Sequence, residues 1–314
     1  MAPLPPATRP TFYFIGVTTQ SSSIMRVFPA WAAHLGLNDA QLIGIDFPLH
    51  AEPAAYRDAV SFIKQDKLSL GALVTTHKID LFAACRDLFD AVDPYAELMA
   101  ETSCLSKQDG KLIAHAKDPI SSGLAIESFL PKDHFAATGA EVFAMGAGGS
   151  TIAFTWYLMQ KQHGANRPSR IVVADRDSHR LEEIKRIHGE IGSDMPVEYV
   201  SAAENDGVLA GLKPHSLVIN ATGLGKDRPG SPLSDTAVFP MHAIAWDLNY
   251  RGDLVFLAQA RNQAAKRHVT PVDGWTYFIH GWTQVIAEVF HIAIPTRGST
   301  FDAISAIAHN AAKG

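Results

Sequence analysis

The chain has 314 residues, a length that suits two domains better than one compact core. Its 47% hydrophobic and 19% charged content is that of an ordinary soluble globular protein, and no run of about 18 apolar residues predicts a membrane span. A net charge of −5 without any basic run argues against a nucleic-acid face, and two cysteines, Cys85 and Cys104, are too few for a disulfide framework and fit a reducing cytoplasm.

The N-terminal "MAPLPPATRPTF" is proline-rich, has neither a charged n-region nor an apolar h-region, and predicts no signal peptide. From there short apolar runs alternate with helical patterns. Strands are predicted at 12–17, 41–47, 70–75, 141–145, 170–174, 216–220 and 243–248. Helices are predicted at 27–37, 54–63, 81–92, 152–161, 180–191 and 255–266. That alternation predicts parallel sheets with crossover helices, an α/β fold. Two stretches break the rhythm: 103–116 reads as a hairpin turning at "KQDGK", and "PKDHFAATG" (131–139) as a linker and domain junction. The chain from about 275 onward reads as mostly helical.

Three polar corners follow predicted strands. In "GALVTTHKIDLF" (71–82) the strand breaks at Thr75 and Thr76, either of which suits an N-cap, so Lys78 falls in the first helical turn. A cation is mildly unfavourable there, and capping gives the lysine no role. In "AKDP" Asp118 precedes Pro119, an ordinary N-cap followed by proline at N1. In "SSSIM" a serine can simply cap the helix from Ile24. Each corner alone has a bland explanation, but together they mark the carboxyl ends of strands, where open α/β sheets bind ligands.

The clearest motif is "EVFAMGAGGSTIAF", a strand ending in Gly146, Ala147, Gly148 and Gly149, with Ser150 opening a helix. Glycines let a backbone approach a pyrophosphate that the helix N-terminus attracts. Thr151 replaces the third glycine of the usual fingerprint. A second strand, "RIVVAD", ends in Asp175, where a ribose 2′-hydroxyl is held in dinucleotide sites. Asp175 and Asp177 favour NAD; Arg176 and Arg180 keep NADP open. No metal-ligand spacing such as HExxH occurs, and His77, His115 and His280 read as structural.

The order of these motifs resembles the shikimate dehydrogenase family, which includes quinate dehydrogenases, over about residues 12–290. Ser21 and Ser23 match its carboxylate-gripping Ser-x-Ser, and "VTTHK" matches the segment ending in its catalytic lysine, here Lys78. "AKDP" stands at its catalytic aspartate, here Asp118, and "GAGG" at its nucleotide loop. "INATGLG" (219–225), "DLNY" (247–250) and "DGWTYF" (273–278) match later segments beside the cofactor and substrate. The resemblance implies an α/β substrate domain, 1–117 with 276–314, and a Rossmann domain, 118–275, with the dyad in the cleft between them. It implies substrate contacts from Thr75, Thr76, Ser103 and Tyr250, and cofactor contacts from Arg176, Asn220, Ala221, Thr222, Gly225, Leu248 and Gly274.

Departures from the family pattern accompany these matches. Ser103 and Cys104 replace Asn-Thr, Ala116 and Lys117 replace Asn-Thr before Asp118, and Gly281 stands where the family carries a substrate-binding glutamine. The lysine motif is one residue short and lacks its proline, which leaves open which threonine takes the substrate. The resemblance thus implies an NAD(P)-dependent dehydrogenase of a cyclic or polyhydroxy carboxylic acid, with shikimate itself not the expected substrate. A regulatory binder on the same scaffold and another Rossmann enzyme, of methylene-folate type, are the competing classes. A small-molecule partner is expected; a homodimer is allowed but not indicated.

Overall fold

The computed structural model describes residues 4–226 and 228–313. The chain divides into two compact α/β units, one running to residue 118 and resuming at 279, the other spanning 119–278. Asp118 therefore closes the first unit, where the sequence reading placed it at the head of the second. The segment 131–139 is no junction: it lies within the second unit.

The first unit holds β1 (Thr11–Gly16), α1 (Ile24–His34), β2 (Gln41–Asp46), α2 (Pro53–Gln65), β3 (Ser69–Val74) and α3 (Lys78–Cys85). These are followed by β4 (Ala91–Val92), α4 (Pro94–Met99), β5 (Cys104–Gln108) and β6 (Lys111–His115). The sheet order is β2-β1-β3-β5-β6-β4. Strand β5 runs against both β3 and β6, whereas β1, β2 and β3 are parallel. Two reversals restore direction. The carboxyl ends of β1, β3 and β6 thus share one edge with the start of β5.

All six residues of β1 are buried, as expected of a strand covered on both faces. Tyr13 and Ile15 pack with Tyr56, Val60 and Ile63 of α2. The opposite face sets Phe12 and Phe14 against Trp282, with ring centroids 6.1 and 4.9 Å away.

The predicted helix at 81–92 stops early. Beyond Cys85 a 3₁₀ turn (Arg86–Leu88) leads into β4, and Asp93, which precedes Pro94, is extended. Asp93 instead caps α4, its Oδ1 accepting from the Ala96 amide at 2.7 Å. The hairpin forms as read: β5 and β6 pair in antiparallel register from Cys104–His115 to Gln108–Lys111. Its two turn residues, Asp109 and Gly110, have φ of 50° and 76°, the signature of a type I′ turn.

The second unit takes up the chain with α5 (Asp118–Phe129), whose first residue belongs to the first unit, and α6 (His134–Thr138). Then come β7 (Val142–Met145), α7 (Gly149–Met159), β8 (Ile171–Asp175), α8 (Ser178–Ile191) and β9 (Val197–Ser201). The remaining elements are α9 (Asn205–Gly211), β10 (Leu217–Asn220), β11 (Ile244–Asp247), α10 (Val255–Arg267) and β12 (Thr270–Val272). The division between the units then falls inside α11 (Trp275–Phe290), and α12 (Ser299–Lys313) ends the described chain.

This second sheet is wholly parallel with order β12-β11-β10-β7-β8-β9. Counted from β7, that is the doubly wound order 3-2-1-4-5-6, whose topological switch point lies between β7 and β10. The flanking strands β9 and β12 had no clear signal in sequence. The first, "VEYVS", has no fully buried residue, and the second carries Pro271, which edge strands tolerate.

Candidate active site and nucleotide loop

In the first unit, Lys78 opens α3 directly after β3, and Asp118 opens α5 directly after β6. The shared edge brings them together: Lys78 Nζ donates to Asp118 Oδ2 in an ion pair. The two side chains are 18% and 10% exposed, so the pair is largely desolvated but still open to a ligand. The N-terminus of α5 favours the Asp118 charge. Neither threonine caps α3 through its side chain. The N-cap is His77, and the Thr75 hydroxyl donates instead to the Ile15 carbonyl at 3.2 Å.

Other residues named from the sequence occupy different positions around this edge. Ser21, exposed, donates to the Thr18 carbonyl at 2.8 Å, and Ser23, buried, stands at the head of α1 without capping it by its side chain. Thr76 is exposed. Ser103 is buried, and its Oγ accepts the Lys117 amide at 2.7 Å. His77 pairs through Nδ1 with the Tyr56 hydroxyl at 2.9 Å, and burial lowers its pKa.

His115 has a Ser-His-Asp arrangement. Its Nε2 lies 2.8 Å from Ser106 Oγ and its Nδ1 3.4 Å from Asp93. Ser106 is 0% exposed, however, so its hydroxyl cannot meet an acyl substrate. Acyl transfer is excluded at this place by burial alone.

One residue of the site was not read from sequence. Glu101 follows α4 and precedes β5, the strand that lies between β3 and β6, and is 1% exposed. Neither of its carboxylate oxygens has a hydrogen-bond partner among the described residues. Burial pushes its carboxyl up to about 7; the Lys78 ammonium opposes that shift and the Asp118 carboxylate adds to it. Nothing in "MAETSC" distinguishes this glutamate from a solvated one. Only the reversed strand places it here.

In the second unit the glycine loop joins β7 to α7. Gly146 has φ +103°, and a Cβ there would stand 2.6 Å from the Ala221 carbonyl oxygen, so only glycine fits. Thr151, in place of the third glycine, is buried and donates its hydroxyl to the Gly146 carbonyl at 2.5 Å. It ties the loop closed. Asp175 accepts from the Ala147 amide through Oδ2 at 2.7 Å and from the Asp177 amide through Oδ1 at 2.9 Å. Asp177 caps α8 through the His179 amide at 2.9 Å. Arg180 lies 3.8 Å from where a Cβ on Gly148 would stand, while Arg176 is exposed.

Across the switch point Asn220 is wholly buried, and its side chain shapes the adjoining loop. Its Oδ1 accepts from the Thr222 amide and hydroxyl at 3.1 and 2.7 Å, and its Nδ2 donates to Leu224 O and Asp247 Oδ2, both at 3.2 Å. Ala221 donates its amide to Met145, Gly225 turns at φ +87°, and the Leu248 amide donates to Asn220 at 3.0 Å. A Cβ on Gly274 would collide with the Leu248 carbonyl. Burial pushes the Asp247 carboxyl up to about 6. Tyr250 packs against Trp275 and Phe278, at 5.3 and 4.6 Å, and Tyr277 donates to Ser150 at 3.4 Å.

Among the described residues no group of His, Cys, Asp and Glu is placed to hold a metal, and no helix is long and apolar enough to cross a membrane.

No family model matches the chain. It is 27% identical over 182 residues to shikimate dehydrogenase (NADP(+)) of Lactococcus lactis subsp. cremoris, a match covering 56% of this chain and 60% of that protein. Curated proteins named shikimate dehydrogenase resemble the chain at a distance, with 24–29% identity. The chain spans about 60% of the length of the first such curated relatives. The NAD complex of quinate dehydrogenase from Corynebacterium glutamicum superposes with TM-score 0.72 at 18% identity, covering 96% of this chain and 98% of that one. A 5-ketofructose reductase from Gluconobacter sp. strain CHM43 does so with TM-score 0.65 at 18% identity, covering 97% and 99%. At such identities the likeness to the solved dehydrogenases and the reductase is one of fold.

Proposed function

We propose that this chain is an NAD(P)-dependent oxidoreductase acting on a secondary alcohol or ketone of a cyclic or polyhydroxy carboxylic acid other than shikimate. The observation that carries the reading is the Lys78–Asp118 ion pair at the shared strand edge of the first unit. Helix capping gives the lysine no role, and a binding protein would need neither charge.

The residues around the glycine loop fit a dinucleotide. Gly146 lets the loop turn tightly against the Ala221 backbone, the loop amides lead into the N-terminus of α7, and Asp175 stands at the end of β8. When bound, the nicotinamide supplies or takes the hydride. In the oxidising direction the substrate hydroxyl loses its proton to the Lys78–Asp118 pair; in the reducing direction the pair returns it. The coupled pair shares that role, and Lys78 donates to the oxygen as negative charge develops there. Asp175 supports NAD over NADP, and Ser21 and Ser23 support a carboxylate on the substrate.

Two observations support a substrate other than shikimate. The Ser103 hydroxyl already accepts the Lys117 amide, and nothing lies within 4 Å of a Cβ built on Gly281, which leaves open space where the family has glutamine. A site that pairs a substrate hydroxyl rejects analogues lacking it by orders of magnitude, so losing two such groups changes preference. The test is reduction of NAD and NADP with shikimate, quinate, cyclitols and sugar acids in parallel. A non-shikimate acid is expected to have the highest kcat/KM. Shikimate turned over as efficiently as any other compound overturns the substrate half of the reading, and no turnover of any compound in either direction overturns the enzymatic half.

A further inference from the structure

Glu101 has no task in this scheme, and its state calls for one. A buried carboxylate with neither oxygen hydrogen-bonded is costly to fold, and a neutral side chain of similar size would lower that cost. Its atoms are sealed from solvent, so it touches no substrate. It is held in place from both sides: the Glu101 amide donates to Ala96 at 3.3 Å, and the Thr102 amide donates to the Lys78 carbonyl at 3.2 Å. The charged groups that act on it are Lys78 from α3 and Asp118 from α5.

We propose that Glu101 is a positioning residue for the Lys78–Asp118 pair, a sealed second carboxylate whose charge raises the pair's hold on its exchangeable proton. This rests on the dehydrogenase reading for its catalytic meaning. In alcohol oxidation the O–H proton passes to the pair and the hydride leaves carbon for the nicotinamide. Glu101 exchanges nothing with the substrate. A negative charge beside a proton acceptor favours the protonated form, whichever member of the pair accepts.

Glu101→Gln keeps the shape and removes the charge that Glu101 carries above about pH 7, so the acidic limb of the kcat/KM profile for alcohol oxidation, followed above that pH, should move to lower pH, by roughly one unit. Glu101→Asp keeps the charge and should leave the limb near its wild-type position. Glu101→Gln and Glu101→Leu should melt at or above the wild-type temperature near neutral pH. A limb that stays in place in Glu101→Gln, together with a lowered melting temperature, marks a merely structural residue and overturns the proposal.

A second measurement needs no substrate. The infrared carbonyl band of a protonated carboxylic acid that disappears in Glu101→Gln should fade in the wild type as pH rises through about 7. In Lys78→Met it should fade at higher pH, because the opposing ammonium is gone. A fade unmoved by Lys78→Met overturns the coupling whatever the substrate. A fade that moves, in a protein that oxidises no alcohol, supports the coupling and sinks the dehydrogenase reading instead.

Discussion

At the end of β10 Asn220 is fully buried, and every polar atom of its side chain is bonded to the loop it supports. Just before β5 Glu101 is also buried, and neither carboxylate oxygen has a hydrogen-bond partner among the described residues. The glycine loop and its neighbours are built from neutral or paired groups and from turns that favour glycine. The polar edge of the first unit keeps two carboxylates and an ammonium close together, one carboxylate without hydrogen bonds. A binding surface gains from saturation, because bonded dipoles need no rearrangement when a ligand arrives. A proton-handling site needs groups whose charge can still change.

Four experiments would break or sharpen that contrast, beginning with the largest effect. Lys78→Ala should lower kcat by about 10²–10⁴-fold, the usual range for a general acid–base group, while nucleotide affinity changes little. Full activity in that variant on the true substrate would remove the catalytic reading of the first unit. Gly146→Val tests the saturated side. With φ +103° and the Ala221 carbonyl in the way, it should cost roughly 1–3 kcal/mol in urea unfolding and weaken nucleotide binding together. A variant that is stable and binds normally would show the loop is less tightly determined than its geometry implies.

His188 sharpens the comparison through pH. Burial holds its imidazole down to about 4, between Thr155 Oγ1 and the Tyr199 hydroxyl, each 2.8 Å away. The folded pKa lies below the unfolded value, so the native state binds fewer protons between them. Its stabilisation is therefore complete above about 6.5 and is lost as pH falls towards about 4, by at most ~3 kcal/mol. His188→Gln should flatten the melting temperature across that window, and an unchanged slope would refute the assignment. The smallest effect is expected from Asp175→Ala, which should erode the preference for NAD over NADP by roughly tenfold, about 1.4 kcal/mol. Calorimetry showing tighter NADP binding in the wild type would reverse the preference and promote Arg180, which already lies near Gly148.

Much of this was legible in the sequence because it is local. The strand-loop-helix at Gly146, the hairpin turn at Asp109–Gly110 and the alternation of strands and helices are set by residues a few positions apart. The contact of Lys78 with Asp118 became an expectation only through the order of motifs, since forty positions separate them and the sheet order joins them. What escaped depends on long-range placement. The full burial of Asn220, and its side-chain bonds to the adjoining loop, had no mark in the sequence. Glu101 read as nothing, because a glutamate in sequence carries no mark of the strand reversal that buries it. The stretch 131–139 reads as a linker for a related reason: its proline, glycine and charged residues mark a break, while α6 within it buries His134 and Phe135 in the second unit.

The hairpin of β5 and β6 also acts as a length gauge. Its two-residue turn lies at the opposite end of those strands from the paired charges, yet it fixes how far β6 runs before the chain reaches Asp118. One residue inserted between Gln108 and Lys111 without a compensating bulge would slide β6 by about 3.3 Å and exchange its two faces. A hydrogen bond tolerates a small fraction of that displacement. Loop-length variation, usually the most permissive change a protein accepts, is therefore expected to be tightly restricted at this surface turn, far from any ligand.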